Sequence, residues 1–390
     1  MTRPATSLRT ASNQLSVALR RLKSAYAQAR RGGANPAALV QQSLVAEPWF
    51  IDRLTVHDGE IRAEGWCLPR HELLEQPADA FRINGEPCDE VAYPLLRKDV
   101  GEVLWQRADA GHSGFLCVRR GLNAPYPNGV LEVSRNLRST PPAESGRDSW
   151  FFPDPALHQD LPPDSQRFRV IGNCDRQGFL TSGATDYHRL DLAIAGASGR
   201  QLHQFDSILD WGVGCGRVAR HVPASAAGRV TGCDIDHENV AWCQRALSGR
   251  FIKSSVRPPL PFANEVFDLI YGISVFTHLR ESLQSQWLAE LARVSKPGAW
   301  LLMTIHGLTA VDFARLGATE YVGLKGSIEK RGIVVSSENT QIDGHADHQG
   351  EYVNVFHSAD YIRRAWTRHF HLVDILPGYI FTHDLVIMRK

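Results

Sequence analysis

The run Ile208-Leu209-Asp210-Trp211-Gly212-Val213-Gly214-Cys215-Gly216-Arg217 constrains this chain most. A largely apolar strand passes there into a turn with glycine at alternate positions, and a helix is expected from Arg217 onward. Glycines let the backbone approach a ligand closely, and a helix N-terminus favours a carboxylate or phosphate. Val230-Thr231-Gly232-Cys233-Asp234 reads as a second strand ending in an acid, 18 residues after Gly216. A carboxylate at that place would accept hydrogen bonds from a ribose diol. A dinucleotide fingerprint, Gly-x-Gly-x-x-Gly, would need its third glycine at 217, where Arg217 stands. Asp210 would also lie close to the pyrophosphate, so an anionic diphosphate fits poorly.

The surrounding texture supports an open sheet. After Ser165, strands expected over 207–211, 229–233, 266–272 and 299–305 alternate with helices, the pattern of an α/β, doubly wound, mostly parallel sheet. Asp236 can N-cap a helix over 238–247. Leu283, Trp287, Leu288, Leu291 and Val294 form the apolar stripe of another helix, stopped by Pro297-Gly298. A helix over 359–367 and strands over 371–376 and 381–388 close the domain, which spans 167–390.

Upstream the period changes to two, and residues 47–138 read as a small β-sandwich-like accessory domain. Its clearest local signal is Asn84-Gly85, able to take the positive φ values of a two-residue type I′ hairpin turn. Residues 139–166 carry six prolines, too many missing amide donors for a helix or central strand, and are expected to be a linker. Residues 1–46 hold seven Lys or Arg and no acid, with Leu15, Leu19, Leu22 and Tyr26 at helical spacing. This basic amphipathic helix is expected to be a solvated arm, to pack on the body or to join a homo-oligomer, with binding to an anionic surface as the alternative; its composition also suits an organellar transit peptide.

The 43 basic and 42 acidic residues leave a net charge of +1, which gives no global field for nucleic acid. The seven cysteines are odd in number and never spaced Cys-x-x-Cys, against both a disulfide framework and a zinc ribbon; a cytoplasmic location is expected. No transmembrane segment or apolar signal core is expected either.

The pattern Asp-x-Gly-x-Gly-x-Gly at 210–216 resembles the first motif of class I S-adenosylmethionine-dependent methyltransferases, whose cofactor carries cationic ammonium and sulfonium groups. The likeness continues through Pro258-Pro259-Leu260-Pro261-Phe262, through 267–279, and through Leu291-Ala292-Arg293-Val294-Ser295-Lys296-Pro297-Gly298. It implies S-adenosylmethionine as cofactor, with Asp210, Gly212, Gly214 and Gly216 at its methionine end. Asp234 would meet the ribose, Ile235 one face of the adenine, Ser255 the side of the adenine amino group, and Ser274 the methyl group. Where many members have an acid or amide for the adenine amino group, this chain has Ser254 and Ser255.

Methyl transfer needs alignment and a dry pocket, plus a base when the acceptor must lose a proton. His278 and His306, following adjacent strands on the carboxyl edge, are the candidate bases. O-methylation of a small molecule or glycan is expected, with N-methylation of a small molecule or a noncatalytic scaffold as alternatives. Residues 307–350 form an insertion suited to a lid or acceptor pocket. Its end carries Asp343, His345, Asp347 and His348, then Glu351 and His357, which can ligate a metal; no obligatory metal is expected.

Overall fold

Alternating apolar side chains fold residues 49–153 into two four-stranded antiparallel sheets. The computed structural model describes residues 46–137, 139–140, 142–339 and 352–390; the expected N-terminal helix, up to residue 45, lies outside them. One sheet runs β1 (Trp49–His57), β2 (Glu60–Cys67), β6 (Gly114–Arg119), β5 (Glu90–Leu95) in spatial order. The other runs β4 (Glu86–Pro87), β3 (Phe81–Ile83), β7 (Val130–Arg135), β8 (Ser149–Pro153). Their inner faces share one core in which Trp49, Ile61, Phe81, Phe115, Leu131 and Trp150 are all buried, and the rings of Phe81 and Phe115 stack at 4.1 Å. Asn84 and Gly85 take φ values of 52° and 79°, so the hairpin turn forms as its chemistry requires.

The expected linker needs correction. Ser149–Pro153 within it is the edge strand β8, paired with β7, while the prolines fall at its end or outside it. An edge strand has one side free of ladder bonds, so a terminal proline costs it nothing.

Helix α1 (Asp164–Ile171) follows, then α2 (Arg176–Ser198), whose N-terminal amides at Gln177 and Gly178 are capped by the Asp175 carboxylate. Twelve of the 23 residues of α2 are buried, because it lies between the sandwich and the next sheet. Arg189 on it joins the two parts. Its guanidinium, wholly buried, donates to the carbonyls of Gly146 (3.2 Å), Ser149 (3.1 Å) and Tyr379 (3.3 Å) and lies 5.1 Å from the centre of the Trp150 ring. Thr185 Oγ1 adds bonds to both the amide and the carbonyl of Phe151.

The third sheet has seven strands: β9 (Ile208–Trp211), β10 (Val230–Asp234), β11 (Arg250–Lys253), β12 (Phe267–Gly272), β13 (Ser295–Ile305), β16 (His371–Ile380) and β17 (His383–Arg389). Their spatial order is β11-β10-β9-β12-β13-β17-β16, with only the β17 pairings antiparallel. The order reverses between β9 and β12, and this switch point opens a crevice at the carboxyl ends of those two strands, flanked by the end of β10. Helices α3 (His237–Ala246) and α4 (Glu281–Val294) cover the sheet; Leu283, Trp287, Leu288, Leu291 and Val294 of α4 all face the core. Asp236 caps α3 through bonds from the amides of Glu238 (2.9 Å) and Asn239 (3.2 Å).

The helix expected from Arg217 onward is absent. A single turn at Ala219–His221 and the four-residue helix Ala224–Ala227 stand in its place. Pro223 removes an amide donor and pushes Val222 out of the helical region, to φ −65° and ψ 128°, so the segment breaks after one turn.

In the inserted region α5 (Ala318–Arg331) leads into the hairpin β14 (Ile333–Glu338) and β15 (Val353–His357), and α6 (Ala359–Ala365) follows. The cluster Asp343, His345, Asp347, His348, with Glu351, lies outside the described residues. Its described companion His357 is buried, with Nε2 on the Gln284 side chain at 2.8 Å.

Candidate functional site

The glycine turn forms the floor of a cleft at the carboxyl edge of the sheet. Gly212 takes a φ of 83°, and a Cβ there would lie 2.4 Å from Val275 Cγ2, so only glycine fits the turn. Gly183 of α2 serves the same turn from below: a Cβ on it would lie 2.1 Å from the Arg217 carbonyl oxygen. The second-strand acid is tied directly to the loop. Asp234 Oδ2 accepts from the Gly214 amide at 2.7 Å and Oδ1 from the Asp236 amide at 2.9 Å. Burial pushes the Asp234 carboxyl up to about 6, against the backbone amides that favour its ionised form.

Of the residues the sequence singled out, Gly212, Gly214, Asp234, Ile235, Ser255, Ser274 and His278 line the cleft. Asp210, Gly216 and His306 do not. Asp210 is buried beneath the turn, where Tyr271 Oη donates to its Oδ2 at 3.0 Å and burial lifts its carboxyl to about 7. A Cβ on Gly216 would meet Leu247 Cδ1 at 2.2 Å and Cys243 Sγ at 3.2 Å, so its role is packing against the α3 region. His306 is roofed by the inserted hairpin: its carbonyl accepts from the His357 amide at 2.8 Å and its ring lies 5.3 Å from that of Phe356.

His278 is the histidine the cleft receives. Its Nδ1–H donates to the Val353 carbonyl at 3.1 Å, which leaves Nε2 as the acceptor, 3.4 Å from Ser274 Oγ. Tyr352 stacks on the ring at 4.3 Å. Burial lowers the imidazole to about 4, so it is neutral at physiological pH. A chain of rings continues away from the cleft, from His278 to His306 at 6.1 Å and from His306 to His383 at 4.7 Å.

Sequence reasoning missed several wall residues. Tyr352 and Trp287 line the cleft, as does Asn239, whose Oδ1 is buried without a partner. Helix α1 closes one side through Val170 and Arg169, whose guanidinium is held by Asp236 (2.8 Å) and Glu238 (2.6 Å). No local signal marks these, since α1 and β15 reach the cleft only through the folding of distant segments.

A second cavity of about 550 Å³ lies between the sandwich and the third sheet. Val170, Ile273 and Ser274 line both spaces, so the two adjoin at the end of β12. His383 stands on the wall of the second, its Nδ1 buried without a partner. Among the described residues no group of three or more His, Cys, Asp or Glu is arranged to hold a metal, and no helix is long and apolar enough to cross a membrane.

The apolar sides of the first cleft (Ile235, Val256, Leu279, Trp287), with the Asp234 carboxylate at the end of β10 and that of Asp236 tied to Arg169, fit a nucleoside with a free diol. Residues 209–303 match the family described as "Methyltransferase domain". Solved structures with a similar fold include an S-adenosylmethionine-dependent methyltransferase from Methanosarcina mazei, 20% identical, covering 47% of this chain and 92% of its own, with a TM-score of 0.35. A protein from Pyrococcus horikoshii OT3 is 16% identical over 58% of this chain and 98% of its own, with a TM-score of 0.39. The N-methyltransferase NodS from Bradyrhizobium japonicum WM9, in complex with S-adenosyl-L-homocysteine, is 14% identical over 60% and 96%, with a TM-score of 0.34. The chain carries a class I S-adenosylmethionine-dependent methyltransferase domain, and S-adenosylmethionine is its cofactor.

Proposed function

We propose that the domain methylates a hydroxyl group of a small molecule or glycan, with His278 as the base. The observation that supports this best is Ser274: it lines both the cofactor cleft and the second cavity, and His278 Nε2 stands 3.4 Å from its hydroxyl. Asp234 would accept from the ribose hydroxyls, Ile235 would cover the adenine, Ser255 would border it, and the backbone at Gly212 and Gly214 would hold the methionine end. Asp210 and Gly216 would support the turn from behind, and His306 would pack beneath His278. The cofactor supplies an electrophilic methyl group, whose transfer makes the new O–C bond as the S–C bond breaks with its electron pair left on sulfur.

The chain's own task is then the acceptor proton. An unprotonated His278 Nε2 accepts it directly or through Ser274, and the Val353 carbonyl steadies the resulting imidazolium through Nδ1–H. Val170, Val275 and Leu279 keep water from the reacting atoms. A neutral amine acceptor would not need the histidine, so the same variant separates O- from N-methylation.

The test incubates the full chain with labelled cofactor and a native small-molecule extract, and mass spectrometry identifies the methylated product. An O-methyl product whose formation falls by about 10² to 10⁴ in His278→Ala, with cofactor affinity retained, supports the reading. An N-methyl product, or full turnover in His278→Ala, overturns it. Cofactor binding without turnover in any extract would favour the scaffold alternative. The same reading carries a cytoplasmic location, no metal and no nucleic-acid partner.

A further inference from the structure

The β-sandwich has no assigned role, yet it supplies one wall of the cavity that adjoins the cofactor cleft at Ser274. We propose that this cavity is an acceptor site for a neutral saccharide ring, held between the sandwich and α2; the inference rests on the methyl-transfer reading above. Phe50 of the sandwich and Phe381 of the β16–β17 turn, both half-buried, lie 5.5 Å apart and present aromatic surface to the space. A second part of the lining is polar, with Gln177, Thr181 and Ser182 of α2 and the Asp186–Arg217 ion pair at 2.6 Å.

Small-molecule sites are usually lined by apolar side chains with a few polar groups. Here 14 of the 26 lining residues are polar or charged, which decides against a lipid or a flat aromatic acceptor. Either would strip water from those groups and return no hydrogen bonds. A saccharide answers both walls: the C–H face of its ring covers the aromatics, and its hydroxyls pair with the amide, hydroxyl and carboxylate groups. The ionic groups on the walls balance, with Asp52, Asp175 and Asp186 against Arg53, Arg189 and Arg217, so no net field selects a charged acceptor.

The experiment uses the full chain saturated with S-adenosylhomocysteine and saturation-transfer NMR. The probes are the methyl glycosides of glucose, mannose and galactose, with catechol as the flat control. Two variants address the two walls. Phe50→Leu keeps apolar volume and removes the ring, and Gln177→Leu removes an amide from the exposed first turn of α2. Saturation transfer to the ring protons of at least one glycoside, weakened roughly three- to tenfold by Phe50→Leu at unchanged S-adenosylhomocysteine affinity, supports the site. Contact unaltered in both variants overturns its location, and absence of contact by all three glycosides overturns the ligand class whether or not catechol binds. Failure of the wild-type chain to bind S-adenosylhomocysteine in calorimetry would instead overturn the underlying methyl-transfer reading, a result separable from all the others.

Discussion

Asp234 is both a ligand candidate and a titrating group, because the bonds that position it also bury it. Its carboxyl stands at about 6, so above that pH it is ionised and able to accept from the ribose hydroxyls of the proposed binding mode, and below it carries a proton. Cofactor affinity is therefore expected to be level above about pH 7 and to fall by up to roughly tenfold per unit below pH 6. Calorimetry between pH 5 and 8 measures this, and Asp234→Asn should bind weakly with a flat profile. The variant also distinguishes Asp234 from Asp210, which stands at about 7 but bonds Tyr271 away from the cleft. His278, at about 4, does not titrate in this window. At Gly212 the φ of 83° and the approach of Val275 argue for a severe effect of one methyl group. Gly212→Ala is expected to cost about 1–3 kcal/mol of stability and to weaken cofactor binding at least tenfold, read by urea unfolding and calorimetry.

Among the elements, α1 has the most consequence for its length. Its eight residues place Val170 on both cavities, and Arg169 fastens it to the capping residue of α3. The Arg169 and Asp236 side chains are 5% and 2% exposed, so solvent screens little of this pair. Arg169→Met leaves the buried Asp236 charge with only its amide partners. It is expected to lower stability by about 3–5 kcal/mol and to speed cofactor release, measured by chemical denaturation and stopped-flow displacement. Elements with a local code were readable in advance: the Asn84-Gly85 turn, the Asp236 cap and the apolar stripe of α4. The helix after Gly216 was not, because Pro223 and the valines around the turn outweighed the position. The strand β8 was also missed, since its pairing with β7 forms between segments whose own composition suggests a loop.

Across the molecule, Arg189 binds the sandwich to the third sheet from within α2. Its guanidinium bonds carbonyls at 146, 149 and 379, so truncation leaves several buried acceptors without donors. Arg189→Ala is expected to destabilise the whole described body by at least about 3 kcal/mol. Denaturation followed by tryptophan fluorescence and by far-ultraviolet circular dichroism should give coincident transitions, since Trp150 and Trp211 report on different parts of one cooperative structure. The sequence alone determined the alternation of strands and helices in the α/β part, the glycine turn and an acid, Asp234, at the end of the second strand, because periodicity, turn chemistry and the 18-residue spacing act through near neighbours. Only the tertiary structure decided which histidine reaches the cleft, that Asp210 and Gly216 stand behind it, and that a second cavity exists at all. The walls of that cavity come from residues as far apart as Phe50, Gln177, Arg217 and His383, and the burial of each is set by packing between segments that share no local pattern.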